Sequence, residues 1–342
     1  MPTLRILHLS DTHLFGDDSK HYDVVDTEEH LRRALKHIAK QEFDLMVCSG
    51  DVSNDGTETS YRKARDVIGV WAAERGARTI FAMGNHDERQ GFRAVLGSGQ
   101  PGVEARCLVG DADPPHFATP TTERATLAAH SESLTEPPIA SSATVDGWRT
   151  IVLDTSVPRA GYGSLEPSQL DFLRAELASP APNGTLIIMH HPPIAAQTDL
   201  LEALALGEQD AAAFWEIVRG AEAGSLSEGS SAGQGASPGQ STDVRAILCG
   251  HYHQPIVEYV HGIPVIVAPG VSNLADAFGP RDEEAASDYF GGATVEITGS
   301  ISASRVRVLL FTVPVTGAEV FRYPNNIVDQ IIRAAGRQDQ EK

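Results

Sequence analysis

The sequence predicts an α/β protein built on a parallel sheet, on three observations. Short apolar runs alternate with helix-length amphipathic segments from residue 4 to residue 86. Several of these runs are apolar throughout, as strands covered on both faces must be. Five runs across the chain end in Asp, Asn or His. Parallel strands place such ends on one edge of a sheet, where side chains from distant parts of the chain converge.

The first strand is expected over residues 4–9, ending in Ser10-Asp11-Thr12-His13. Asp11 and His13 are two apart, so an extended backbone would turn both to one side. Residues 14–26 read as a loop. Thr27 is expected to cap a helix, with Glu28 and Glu29 in its acidic first turn and Leu31, Ala34, Leu35 and Ile38 on one apolar face. A second strand, 45–48, ends in Ser49-Gly50-Asp51. A helix over about 57–75 follows, with Gly76 as its stop. The third strand, 79–83, ends in Gly84-Asn85-His86-Asp87.

Residues 88–97 read as a short helix. The stretch 98–142, rich in Pro, Thr, Ser and Ala, reads as an insertion able to serve as a lid, with 122–134 helical. Asp146-Gly147 marks a hairpin between 143–145 and 148–154. Asp154-Thr155-Ser156 reads as a plain strand exit. A helix over 167–178 precedes the strand 185–189, which ends in His190-His191-Pro192-Pro193. Helical segments are expected near 200–206 and 210–219. Residues 221–241 form a Gly/Ser-rich surface excursion. The strand 244–249 ends in Gly250-His251-Tyr252-His253, again with two His of matching parity. A hairpin around His261-Gly262, strands near 293–298 and 304–313, a short helix and a charged tail complete the chain. Residues 1–320 are expected to form one domain carrying both insertions, and 321–342 a C-terminal helix and tail.

The 342 residues carry a formal charge of −19, a poor field for gripping nucleic acid or an anionic membrane. Neither partner is therefore expected. Three cysteines, none in a C-x-x-C pair, indicate no thiolate zinc site and suit a reducing cytoplasm. The N-terminus has no long apolar run of a signal peptide, and no stretch approaches membrane-spanning length.

The strand ends collect Asp11, His13, Asp51, Asn85, His190, His251 and His253. This carboxylate, amide and imidazole set suits two divalent ions such as Fe, Mn or Zn. Seven donors exceed the needs of one ion. Two ions share a carboxylate and hold a hydroxide between them, which neutralises a phosphate and generates a nucleophile. His86, beside Asn85, is then spare to protonate a leaving oxygen or stabilise transition-state charge.

The ordered set Asp-x-His, Gly-Asp, Gly-Asn-His-Asp, His-His-Pro-Pro and Gly-His-x-His resembles the calcineurin-like metallophosphoesterase superfamily. Within it the chain is most similar to bacterial class III cyclic-nucleotide phosphodiesterases, through residues 151–158, Ser168-Gln169-Leu170 and 185–194. The resemblance spans most of residues 4–275. It implies a four-layer αββα sandwich with two mixed sheets. It implies a first ion on Asp11, His13 and His253, a second on Asn85, His190 and His251, and Asp51 between them. His191 would support the site and His86 would face the substrate. The implied reaction opens 3′,5′-cyclic nucleotides to 5′-monophosphates. The alternatives are 2′,3′-cyclic nucleotides, glycerophosphodiesters or a nucleotide-linked lipid on the same centre, and, in another class, a scaffold that has lost the chemistry. No ligand position is missing, which disfavours the scaffold. A homodimer is implied weakly. One departure is informative: phosphoprotein phosphatases of the superfamily carry Arg where this chain has Asp55, which argues against that activity.

Overall fold

The computed structural model describes residues 2–109, 136–220, 242–313 and 315–337. The core of the 98–142 stretch with its expected 122–134 helix, the 221–241 excursion and the end of the tail lie outside the described residues.

The first half winds as a parallel sheet. β1 (Thr3–Leu9), α1 (Thr27–His37), β2 (Leu45–Cys48) and β3 (Arg78–Phe81) follow in order. Leu9 pairs with Cys48 and Cys48 with Phe81, so the three strands end level. The cap of α1 is Asp26, not Thr27: the Asp26 carboxylate accepts from the Glu29 N–H, while the Thr27 hydroxyl donates to the His13 carbonyl. A carboxylate outcompetes a hydroxyl as acceptor at a helix start. The helix between β2 and β3 is α2 (Glu58–Ala64), one π-helical turn (Arg65–Gly69) and α3 (Val70–Ala73). Gly76, at φ 69°, follows it. α4 (Arg89–Leu96) leads away from the third strand end.

The second half builds another sheet. Its elements are β4 (Arg106–Cys107), β5 (Ser141–Val145), β6 (Trp148–Val152), α5 (Pro167–Leu177), β7 (Gly184–Ile188), α6 (Asp199–Ala203), α7 (Glu208–Val218), β8 (Val244–Cys249), β9 (Ile256–Val260) and β10 (Ile263–Val267). The strand order is β4-β5-β6-β7-β8-β10-β9, with β6, β7, β8 and β10 parallel. Both expected hairpins are tight turns with positive φ at two successive residues, Asp146-Gly147 and His261-Gly262. The ends of the 98–142 stretch are built into this sheet. β4 pairs with β5, and the buried Gln100 amide donates to Ser141 and to the Thr150 carbonyl.

The chain then runs through β11 (Leu274–Ala275), β12 (Glu284–Ser287), β13 (Phe290–Thr298), β14 (Arg305–Val313), β15 (Glu319–Tyr323) and α8 (Asn325–Ala335). β13 returns antiparallel to β1, completing a mixed sheet β14-β13-β1-β2-β3. β11, β12 and β15 form a third, small sheet that the sequence reading did not anticipate.

Side-chain parity gives the layers. Leu4, Ile6, Val47 and Ile80 of the first sheet pack on Val152, Ile188, Leu248 and Ile266 of the second. Their alternate neighbours Leu7, Leu9, Met46 and Phe81 face α1, α2 and α4. Ile151, Ile187, Ile247 and Val265 face α5 and α7 on the far side. The order is helix, sheet, sheet, helix, the αββα sandwich, and each central strand is buried on both faces. The two sheets bring their parallel C-terminal edges together.

Candidate metal centre

The Asp11 and His13 loop does not continue as strand. Asp11, His13, Asp51, His251 and His253 all lie in the left-handed region, with φ of 56°, 43°, 46°, 69° and 50°. The expectation that each two-apart pair shares a side through extended backbone therefore fails. The loops remain paired instead: Asp11 N–H donates to the Gly50 carbonyl and His13 N–H to the Asp51 carbonyl. That pairing bends the chain and turns both side chains inward. Left-handed backbone costs a non-glycine residue about 1–2 kcal/mol, and such strain concentrates at functional sites. The motif glycines permit the close approach. A Cβ on Gly84 would lie 2.2 Å from Asp51 Oδ1, and one on Gly50, at φ 110°, 2.4 Å from the His190 ring.

Among the described residues three overlapping donor groups result: Asp11, His13 and His253; Asp11, Asp51 and His190; and His13, Asp51 and His86. Within each, one ligand atom per residue lies within 4.8 Å of the others. The first is the trio that the resemblance assigned to one ion. Asp51 belongs to both of the others, 3.5 Å from His13 Nε2 and 3.4 Å from His190 Nε2. The His190 and His251 rings are 5.1 Å apart. The Asn85 amide oxygen is buried with no hydrogen-bond partner, as is His190 Nε2.

The fit to metal ions is tested by the outer nitrogens. His13 Nδ1 meets Asn54 Oδ1 at 3.1 Å, and His253 Nδ1 meets Asn273 Oδ1 at 2.9 Å. His190 Nδ1 donates to the Ser49 carbonyl at 3.0 Å, and His251 Nε2 to the Leu204 carbonyl at 3.1 Å. Each outer nitrogen faces an oxygen acceptor and so carries the proton, which leaves the other nitrogen to offer a lone pair. His13 Nε2 and His253 Nε2 stand only 3.4 Å apart. Two lone pairs at that distance call for a cation or a proton between them. The donor groups around Asp11 and Asp51 fit divalent ions, the trio Asp11, His13 and His253 directly, while His251 belongs to none of the three groups.

The electrostatics agree. Burial raises the Asp51 carboxyl, but the neighbouring His190, His86 and His13 outweigh it and hold it well below the usual range. Burial lowers His190, yet Asp51 and Asp11 bring it up to about 9, so negative charge draws a proton to Nε2. A metal ion would take that proton's place. His251 is driven well below its ordinary value by burial, then by His191 and His190.

His86 sits exposed at the rim, with its backbone N–H on Asp51 Oδ1 at 2.9 Å and its ring 4.7 Å from that of His13. His191 is fully buried and braces the second sheet's loops: Nδ1 lies 2.8 Å from the Thr155 hydroxyl and Nε2 3.2 Å from the Gly161 carbonyl. Asp154 is structural, its carboxylate taking the Arg89 guanidinium, the Ile139 N–H and Ser156. The sequence reading missed Asn54, just past Asp51 in the Gly-Asp loop, and Asn273, from a loop with no motif of its own, which fix two imidazoles. It also missed Asp87, whose carboxylate gathers the N–H groups of Val52, Ser53 and Gly84 and locks two strand ends together. Its place in Gly-Asn-His-Asp was the available signal.

An αββα sandwich with an Asp, Asn and His donor cluster at its joined strand ends defines a metallohydrolase. Residues 4–255 match the model of the calcineurin-like phosphoesterase family, and the chain belongs to that family. Its members are hydrolases that use a dinuclear metal centre. The chain is similar to a cAMP/cGMP dual specificity phosphodiesterase of Mycobacterium tuberculosis, 33% identical over 277 residues that cover 80% of this chain and 70% of the relative. It is 26% identical over 298 residues to the 3′,5′-cyclic adenosine monophosphate phosphodiesterase CpdA of Vibrio vulnificus, covering 86% and 85%. A dimetal phosphatase structure from Danio rerio shares the fold, with a TM-score of 0.52 at 13% identity, over 90% of this chain and 99% of that one.

Proposed function

We propose that this enzyme hydrolyses 3′,5′-cyclic nucleotides to 5′-monophosphates at a two-metal centre. Asp11, His13 and His253 would hold one ion, Asn85, His190 and His251 the other, and Asp51 would join them. The observation that carries the reading is the set of lone pairs turned inward around Asp51, each fixed by a partner on the outer nitrogen. The substrate class comes from the similarity to phosphodiesterases of cyclic nucleotides.

When bound, the ions supply Lewis-acid neutralisation of the phosphodiester and lower the pKa of water. The chain's own residues do the rest. Asp51 keeps its charge under burial and sets the spacing of the donor groups. His86, tied to Asp51 through its backbone, stands at the rim where a ring N–H reaches a phosphoryl oxygen or gives a proton to the departing 3′ oxygen. Asp55 is occupied in bracing its loop, accepting from Gly16 N–H and the Thr57 hydroxyl. An acid at position 55 itself offers no guanidinium to a phosphoprotein.

The donor chemistry favours Mn, Fe or Zn over Ca or Mg. Among the described residues no helix is long and apolar enough to cross a membrane. The three unpaired cysteines fit a cytoplasmic setting, and the charge of −19 disfavours nucleic acid. We read 1–320 as one catalytic unit and the homodimer as an assembly to be tested by light scattering.

The test is a substrate panel with Mn²⁺ supplied: 3′,5′-cAMP, 2′,3′-cAMP, an aryl phosphodiester and an aryl phosphomonoester. Turnover of 3′,5′-cAMP at kcat/KM of about 10⁴ M⁻¹s⁻¹ or above supports the reading. Cleavage of the aryl diester alone would leave the dimetal chemistry and remove the substrate assignment.

A further inference from the structure

Beside His86 the structure opens a cleft of about 140 Å³. Asn85 and His86 form one side of it, and Ser156, Val157, Pro158 and Arg159, from the loop after β6, form the other. It continues past Arg89, Glu136 and Pro158 into a larger hollow of about 430 Å³. The phosphodiester would lie over the donor cluster, so whatever is attached to it on the His86 side enters this cleft.

The wall of the cleft is held at three points. The Arg89 guanidinium, itself buried, donates to the Ser156 carbonyl at 3.0 Å. The Thr155 hydroxyl meets His191 Nδ1, and the Gly161 carbonyl meets His191 Nε2. Residues 155–161 are thus anchored at both ends to the strand end that carries His190. Between the anchors Arg159 is left-handed, at φ 64°. Glycine adopts that conformation without steric penalty. Arg159 lines the cleft and brings a planar cation to the mouth of the site in a protein of charge −19.

We propose that this cleft is the nucleoside subsite and that Arg159 is its specificity-determining residue. Val157 and Pro158 give an apolar face for a nucleobase. Arg159 stacks on the base or hydrogen-bonds its edge, as a planar guanidinium does. Gln90 and Glu136 at the rim offer acceptors to amino or hydroxyl groups. The inference rests on the cyclic-nucleotide reading above.

The experiment compares 3′,5′-cAMP with methyl 4-nitrophenyl phosphate, a diester without a nucleoside, on the metal-loaded full chain. Arg159→Ala is expected to raise KM for cAMP about tenfold with kcat within about twofold. The ratio of kcat/KM between the two substrates should fall about tenfold. Arg159→Lys, which keeps charge and loses the plane, should recover only part of it. A second variant, Val157→Trp, fills the cleft and should depress the same ratio. An unchanged ratio in both Arg159→Ala and Val157→Trp would overturn the subsite. An equal loss on both substrates would also overturn it, because the role would then lie with the phosphate or the fold. A wild-type enzyme that cleaves only the methyl diester would overturn the cyclic-nucleotide reading itself, and the inference with it.

Discussion

Asp51 faces His13 and His190 and accepts from the His86 backbone, while Asp11 faces His253 and accepts from the His251 backbone. The two carboxylates thus touch most of the site's imidazole residues, and the outer nitrogens depend on neutral oxygens of Asn54, Asn273, Ser49 and Leu204. His86, exposed at the rim, lies outside the resemblance's ligand set although it forms a donor group with His13 and Asp51. His86→Ala is expected to retain the metal content of the wild type and to lose about 10²–10⁴-fold in kcat, read by metal analysis and steady-state kinetics on one preparation. Loss of metal with activity would instead make His86 a ligand. Asn273→Ala removes the partner that orients His253 without touching a donor. It should weaken metal affinity about 10–100-fold in a chelator competition, while full activity returns at saturating metal.

At the scale of the element, each motif sits where a buried parallel strand stops. That position was legible because apolar runs such as 45–48 end abruptly in Ser-Gly-Asp, and no core strand tolerates that exit. The geometry of the loops was not legible. Asp-x-His reads as period two only if the chain stays extended, and backbone pairing between the Asp11 and Asp51 loops bends it left-handed. The third sheet was missed because β11 has two residues and β12, Glu284–Ser287, lacks the apolar run of a core strand. Asn54 and Asn273 lie in loops where asparagine is unremarkable. β1 also carries His8, fully buried, with Nε2 2.9 Å from the Ser49 hydroxyl. Burial pushes it down to about 3, against 6.5 when free. A depressed histidine stabilises the fold above its unfolded value, and that stability is lost as pH falls below 6.5. Each unit is worth about 1.4 kcal/mol for a full shift, so between pH 6.5 and 4.5 the loss is of the order of 2–3 kcal/mol. The melting temperature should fall over that range, and His8→Gln should flatten the slope. An unchanged slope would place the acid sensitivity elsewhere.

Across the whole molecule the centre is where two sheets meet. His190 reaches from the second sheet to the Ser49 carbonyl of the first, and Gly250 N–H pairs with the His190 carbonyl. Ions held by donors from both sheets bind the native state and not the unfolded chain, so they should stabilise the fold as a unit. Stripping them with a chelator is expected to lower the melting temperature, by the equivalent of about 2.7 kcal/mol when metal had stood at a hundredfold its Kd. An identical melting curve with and without metal would show that the sheets close independently of the site.

The most direct test of the two-metal account is activity on 3′,5′-cAMP measured against bound Mn per chain, for wild type and Asp51→Asn. The account predicts that wild-type activity climbs to its maximum at two ions per chain. Asp51→Asn should fail to hold two ions and lose at least about a hundredfold in kcat/KM. Full activity at one ion, or a variant that keeps both ions and its turnover, would contradict it.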